Sequence, residues 1–263
     1  MRRARIVTVA VYERLIRASL ERIWENVLDW EHLPALHRES FTSVRRIESG
    51  EWGWSAQVRV PGSERELTLR VALDRDALRY VTTTVEGPGA GTEIWTTLEP
   101  KSERETQIRV EFRVPDVSPE RIATLGAGYR AVYAKLWDED EAMMRRREAM
   151  LAAQKQPQAR SREPLELGAE ADVRAKLPLD VVVDGRPFRI VELDGALVAH
   201  STVCPHWLGP LEAGRREGYT VACPWHDYRF DLRTARSCDG RGLRLAPAPE
   251  VRLEGGQVSL RWS

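Results

Sequence analysis

Two cysteine–histidine pairs stand in the last quarter of the sequence: Cys204-Pro205-His206 and Cys223-Pro224-Trp225-His226. Each pair offers one thiolate and one imidazole. A zinc site built from two cysteines and two histidines usually pairs like with like. Mixed pairs suit a two-iron cluster better, with both thiolates on one iron and both imidazoles on the other. A zinc ribbon, or four polar residues in turns, is the competing reading. A cluster saturated by four protein ligands passes single electrons and leaves oxygen chemistry to another site. Cys238 lies outside both loops and reads as a plain buried or half-buried thiol. Three cysteines, an odd number, argue against a disulfide framework and leave metal binding open.

A second constellation lies near the start, in DWEHLPALH, Asp29 to His37. Two histidines and one carboxylate on one face can hold Fe(II) and leave the opposite face open for oxygen and substrate. His32 and His37 offer the imidazoles. Asp29 stands one helical turn before His32, within reach of its ring, where a carboxylate orients a liganding histidine and increases its basicity. The third ligand is sought in the acidic run Asp138 to Glu141. Helical spacing chooses Asp140. Positions three and four before it lead to Leu136, Tyr133 or Val132, and Tyr129, and those after it to Met143 and Met144, an apolar stripe. The same steps from Asp138 meet Ala134, Ala131 and Ala127. A lone carboxylate on an apolar stripe is costly unless something positive meets it. The competing readings are histidines in an ordinary loop and acids on a solvated face.

The elements that must position these residues are legible in outline. Arg5 to Ile16 alternates as a strand. Ser19 is placed to cap a helix whose apolar face is Leu20, Ile23, Trp24, Val27 and Leu28, and Pro34 is expected to stop it. A meander follows over 41–48, 52–60, 66–73, 78–85, 92–98 and 106–114, punctuated by Gly50, Pro61-Gly62 and Gly87-Pro88-Gly89. Ser118-Pro119 opens a long helix that runs past Met150. Strand, helix, antiparallel meander and closing helix make an α+β arrangement. This order resembles the helix-grip fold of the START-like superfamily, which holds a cavity between sheet and helix. Beyond a polar, proline-containing stretch the grammar changes to short strands and tight turns, with hairpin signals at Asp184-Gly185, Asp194-Gly195 and Gly255-Gly256. The expected organisation is a helix-grip domain over 1–155, a linker over 156–162 and an all-β domain over 163–263.

The β domain closely resembles the Rieske [2Fe-2S] family. The shared pattern stands here as Cys204-Pro205-His206, Gly209, Leu211, Gly214, Cys223-Pro224-Trp225-His226 and Phe230-Asp231. Asp227 and Ala235 occupy positions where that family usually has glycine, and neither change removes a ligand. The N-terminal domain resembles, more thinly, the catalytic domain of Rieske oxygenases, through Glu25-Asn26, Asp29, His32 and His37, and through Asp140 after Glu139. Those oxygenases place the Rieske domain first, so the order here is reversed. The resemblance implies a [2Fe-2S] cluster on Cys204, His206, Cys223 and His226. It also implies a mononuclear Fe(II) on His32, His37 and Asp140, with Asp29 bridging or orienting the histidines. The expected reaction is O2-dependent oxidation of a mostly apolar small molecule, by hydroxylation, dihydroxylation or oxidative dealkylation. Trp52, Trp54, Trp95, Tyr133 and Trp137 are candidates to line the cavity.

Composition bounds the partners. Lysine plus arginine equals aspartate plus glutamate at 40 each, which gives no electrostatic reason to expect nucleic acid or an anionic membrane. No segment approaches the length of a membrane span, and the start lacks the apolar run of a signal peptide, so the expected location is the cytoplasm. No glycine-rich dinucleotide fingerprint is present, so a separate reductase or ferredoxin must supply electrons. The family resemblance suggests a homo-oligomer, a trimer. The alternative is a non-enzymatic Rieske electron carrier fused to a lipid- or polyketide-binding domain without mononuclear iron.

Overall fold

The structure, a computed structural model, describes residues 5–155 and 160–262. The chain forms two compact units, Met1–Glu148 and Ala149–Ser263. Part of the expected linker, 156–159, lies outside the described residues.

The first unit runs β1 (Ile6–Ile16), α1 (Leu20–Leu28), α2 (Leu33–Leu36), β2 (Ser43–Gly50), β3 (Gly53–Arg59), β4 (Leu67–Asp74), β5 (Arg79–Glu86), β6 (Glu93–Ser102), β7 (Glu105–Pro115) and α3 (Pro119–Gln154). Its strands form one antiparallel sheet in the order β1-β7-β6-β5-β4-β3-β2. Five hairpins build β2 to β7 in sequence, and β1 then adds beside β7. A bulge between Thr8 and Ala10 breaks the alternation of β1, so that Val9 and Ala10 are both buried.

Helix α3 lies on the inner face of this sheet. Phe112 of β7 stacks on Tyr129 at 4.9 Å and meets Tyr133 edge-on at 4.8 Å. Gly126 permits the close approach, because a Cβ there would come within 2.4 Å of the Val9 carbonyl oxygen. Ile16, Ile23, Leu98, Ile108, Phe112 and Met144 fill the space between. This is the α+β helix-grip arrangement. Ser19 caps α1 by accepting from the Arg22 N–H. Pro34 does not end α1. The helix stops at Leu28, where the Asp29 N–H turns back to the Glu25 and Asn26 carbonyls, and Pro34 sits in the first turn of α2. A proline is suited to a helix start, where its missing N–H leaves no bond unmade.

The second unit runs β8 (Leu165–Ala169), α4 (Glu170–Ala175), β9 (Leu179–Val183), β10 (Arg186–Leu193), β11 (Ala196–Ser201), β12 (Arg215–Glu217), β13 (Thr220–Ala222), β14 (Arg229–Asp231), β15 (Arg236–Ser237), β16 (Glu250–Glu254) and β17 (Gln257–Arg261). They form three small antiparallel sheets, β11-β10-β9, β12-β13-β14-β15 and β16-β17-β8. Asp184-Gly185, Asp194-Gly195 and Gly255-Gly256 all have positive φ and make the tight turns of three hairpins. This unit is the all-β domain. Cys238 is exposed, against the expectation of a buried or half-buried thiol. It begins the turn after β15, and only its backbone is engaged, the N–H donating to the Arg229 carbonyl. Among the described residues no helix is long and apolar enough to cross a membrane.

Two candidate metal centres

The loops carrying Cys204-His206 and Cys223-His226 are built alike. The Cys204 N–H donates to the Gly209 carbonyl, and the Leu208 N–H donates back to the Cys204 carbonyl, each at 2.9 Å. In the second loop the Cys223 N–H donates to the Tyr228 carbonyl and the Asp227 N–H to the Cys223 carbonyl, at the same distance. The fourth residue after each cysteine is left-handed: Leu208 has φ 65° and Asp227 φ 54°. Ala235, the other departure from glycine, also has positive φ, at 58°. These closed loops bring all four side chains together. Cys204 and Cys223 are buried, and the rings of His206 and His226 lie 4.5 Å apart, nearly perpendicular. Tyr228 stacks on His206 at 4.4 Å.

The two thiols hydrogen-bond to each other and titrate as a pair. The bond from Cys223 holds the Cys204 thiol below the usual range against the opposing effect of burial, assisted by the N–H groups of His206 and Trp207. The Cys223 thiol is pushed up by the same bond and by burial, although the N–H groups of Trp225 and His226 point at its sulfur. Gly209 completes the cradle, since a Cβ there would come within 2.7 Å of the Cys223 Sγ. Two buried sulfurs, backbone N–H groups aimed at them and two adjacent imidazoles fit a two-iron cluster with split ligation.

The second centre lies in the first unit. His32 and His37 bracket α2, one at each end of its four residues. That single turn brings the two rings to 5.0 Å. From α3, one Asp140 oxygen lies 3.0 Å from His37 Nε2 and 3.5 Å from His32 Nε2. Ligand atoms of all three residues lie within 4.8 Å of one another, and all three residues are buried. The outer nitrogens face carboxylates too. Asp29 is 3.4 Å from His32 Nδ1, and Glu139 is 2.6 Å from His37 Nδ1. Burial opposes charge on the His37 ring, but Asp140 and then Glu139 outweigh it and hold His37 above the usual histidine range. Two imidazole nitrogens and a carboxylate beside a cavity are the donor set of an open divalent-iron site, and the residues present fit that metal.

The acidic run therefore divides. Asp138 and Glu141 pair with Arg14, and Glu141 also with Arg17, which ties α3 to β1 and the residue that follows it. Glu139 and Asp140 turn to the histidines. Sequence reasoning placed Asp140 on the inner stripe and noted Glu139 only as its acidic neighbour; it gave Glu139 no contact with His37. Of the five aromatic candidates, Trp54, Tyr133 and Trp137 line the cavity. Trp95 does not, because Thr96 and Leu98 set the inward phase of β6 and leave it on the outer face between Arg79 and Arg113. Trp52 precedes β3 and lies under Arg70. Val132 is exposed, off the stripe it was assigned to. Tyr80 and Asn26, which the sequence did not single out for the cavity, also line it.

Comparison with known proteins bears on the second unit. Residues 163–247 match the Rieske [2Fe-2S] domain. The ferredoxin component of the p-cumate 2,3-dioxygenase system of Pseudomonas putida is 37% identical over 95 residues, 34% of this chain and 74% of that protein. Among solved structures, the ferredoxin of carbazole 1,9a-dioxygenase from Nocardioides aromaticivorans IC177 is 22% identical with a TM-score of 0.34, over 38% of this chain and 98% of that one. The Zhui aromatase/cyclase from Streptomyces sp. R1128 is 16% identical with a TM-score of 0.46, over 56% of this chain and 96% of that one.

Proposed function

The chain belongs to the Rieske [2Fe-2S] family, and from that premise we propose that it is the oxygenase component of a Rieske-type non-haem iron system. One observation carries the reading. An electron-transfer domain shares its chain with a second domain in which His32, His37 and Asp140 converge beside a cavity. When bound, the cluster supplies single electrons, and a mononuclear Fe(II) supplies the means to oxidise a mostly apolar molecule with O2. Cys204, Cys223, His206 and His226 hold the cluster. His32 and His37 offer Nε2, and Asp140 an oxygen, to the mononuclear metal. Asp29 and Glu139 hold the outer imidazole protons, which keeps both Nε2 atoms free to bind the metal and fixes ring orientation. Apolar walls exclude water from the cavity. Electrons come from a separate reductase or ferredoxin.

Metal analysis of the purified full chain tests this. The oxygenase reading expects about three irons per two acid-labile sulfides, and an electron carrier without the second centre about two per two. Asp140→Ala is expected to keep the Rieske spectrum and lose the third iron together with turnover. A zinc-only protein overturns the proposal.

A further inference from the structure

The cavity beside His32, His37 and Asp140 has a volume of about 120 Å³. An apolar protein cavity of roughly 150 Å³ takes up benzene. A single six-membered ring therefore approaches the capacity of this one, and a fused second ring exceeds it. Its walls are largely aromatic, from Phe41, Trp54, Tyr80, Tyr133 and Trp137. The Trp54 ring is fixed by its N–H, which donates to the Val27 carbonyl at 2.7 Å. Burial pushes the Tyr80 and Tyr133 phenols well above their usual range, so both stay neutral and the wall carries no phenolate. Flat, quadrupolar walls favour an aromatic ring over an aliphatic one of the same size.

Asn26 breaks this apolar lining. It is 5% exposed and lines the cavity, and its buried Oδ1 meets no hydrogen-bond donor. A buried amide oxygen without a donor is costly, and a ligand that brings one removes that cost. Asn26 needs no side-chain bond to hold its place, because it lies inside α1 on the turn that also buries Ile23. We propose that this cavity selects a single-ring aromatic carrying one hydrogen-bond donor, of the phenol or aniline class, with the donor on Asn26 Oδ1 and the ring against Trp54 and Tyr133. The inference names a substrate class for the oxygenase site proposed above and rests on that reading for what happens to the ligand, but not for its binding.

Titration calorimetry on the full-length protein uses three probes: 4-methylphenol, its isostere 1,4-dimethylbenzene, which lacks the donor, and 2-naphthol, which keeps the donor and adds a ring. The expected order is 4-methylphenol tightest and 1,4-dimethylbenzene roughly ten-fold weaker, the usual effect of one buried hydrogen bond. 2-Naphthol is expected to bind more weakly than 4-methylphenol. Asn26→Leu is expected to erase the preference between the first two while leaving 1,4-dimethylbenzene bound. Equal affinity of the isosteres in the native protein, or tighter binding of 2-naphthol, overturns the proposal whether or not the variant folds. Iron is measured on the same preparation. Donor-dependent binding with no third iron keeps the ligand class and removes the oxygenase; a third iron without donor preference does the reverse.

Discussion

His37 has an acceptor at each end of its ring, Glu139 on Nδ1 and Asp140 on Nε2, so without metal it is best satisfied carrying both protons. Its pKa is raised above the usual 6.5. A raised folded-state pKa contributes stability that is fully present below 6.5 and is lost as pH rises through the raised value. A metal needs the same Nε2 without its proton, so the dependence of metal affinity on pH runs the other way. Thermal melts of metal-free protein across this range are expected to show the first unit losing stability with rising pH. With Co(II) as the probe metal, stabilisation should grow with pH, and Glu139→Gln should flatten the metal-free trend. The cluster loops pose a different residue-scale question. Asp227 sits at positive φ, which an aspartate tolerates and a β-branched residue does not. Asp227→Val is expected to cost about 1–2 kcal/mol of Rieske-domain stability, and Asp227→Gly to be tolerated, as followed by melting of the visible cluster bands. The absence of a family glycine was legible in the sequence. That the position needs a left-handed residue is known only from the loop.

Among the elements, α3 carries most of the burden of the second centre. It brings Asp140 and Glu139 to histidines more than a hundred positions earlier in the chain. Its depth on the sheet is set at Gly126, where a methyl group would strike the Val9 carbonyl. Gly126→Ala is expected to cost about 1–3 kcal/mol through overpacking and to move the helix off the sheet. Metal affinity of the first unit should fall with the melting temperature, while the Rieske spectrum stays unchanged; equal loss of both signals would count against the assignment. The extent of α3 was readable from Ser118-Pro119 and from its apolar stripe. Its inner face was readable only in part: Tyr133, Leu136 and Asp140 point in, but Val132 does not. A 36-residue helix drifts around its axis relative to a curved sheet, so a stripe extrapolated from one end loses phase.

At the scale of the whole molecule, each unit closes on itself by pairing its first strand with a late one, β1 with β7 and β8 with β17. A fragment beginning near Arg162 therefore retains β8 and all four cluster ligands. It is expected to be red-brown and to carry the Rieske spectrum; a soluble, folded, iron-free fragment would contradict this. The sequence by itself determined the two fold classes, the cluster ligands, the capping of α1 by Ser19 and the three tight turns of the β domain. Each of these is written in residues a few positions apart, where spacing and backbone preference act directly. The tertiary structure alone decided which acids of the 138–141 run meet histidines and which meet arginines, which tryptophans face the cavity, and that Asn26 opens on it with an unmet acceptor. Those outcomes depend on how far a sheet curls around a helix. That is set by packing between residues distant in sequence, which no local pattern encodes.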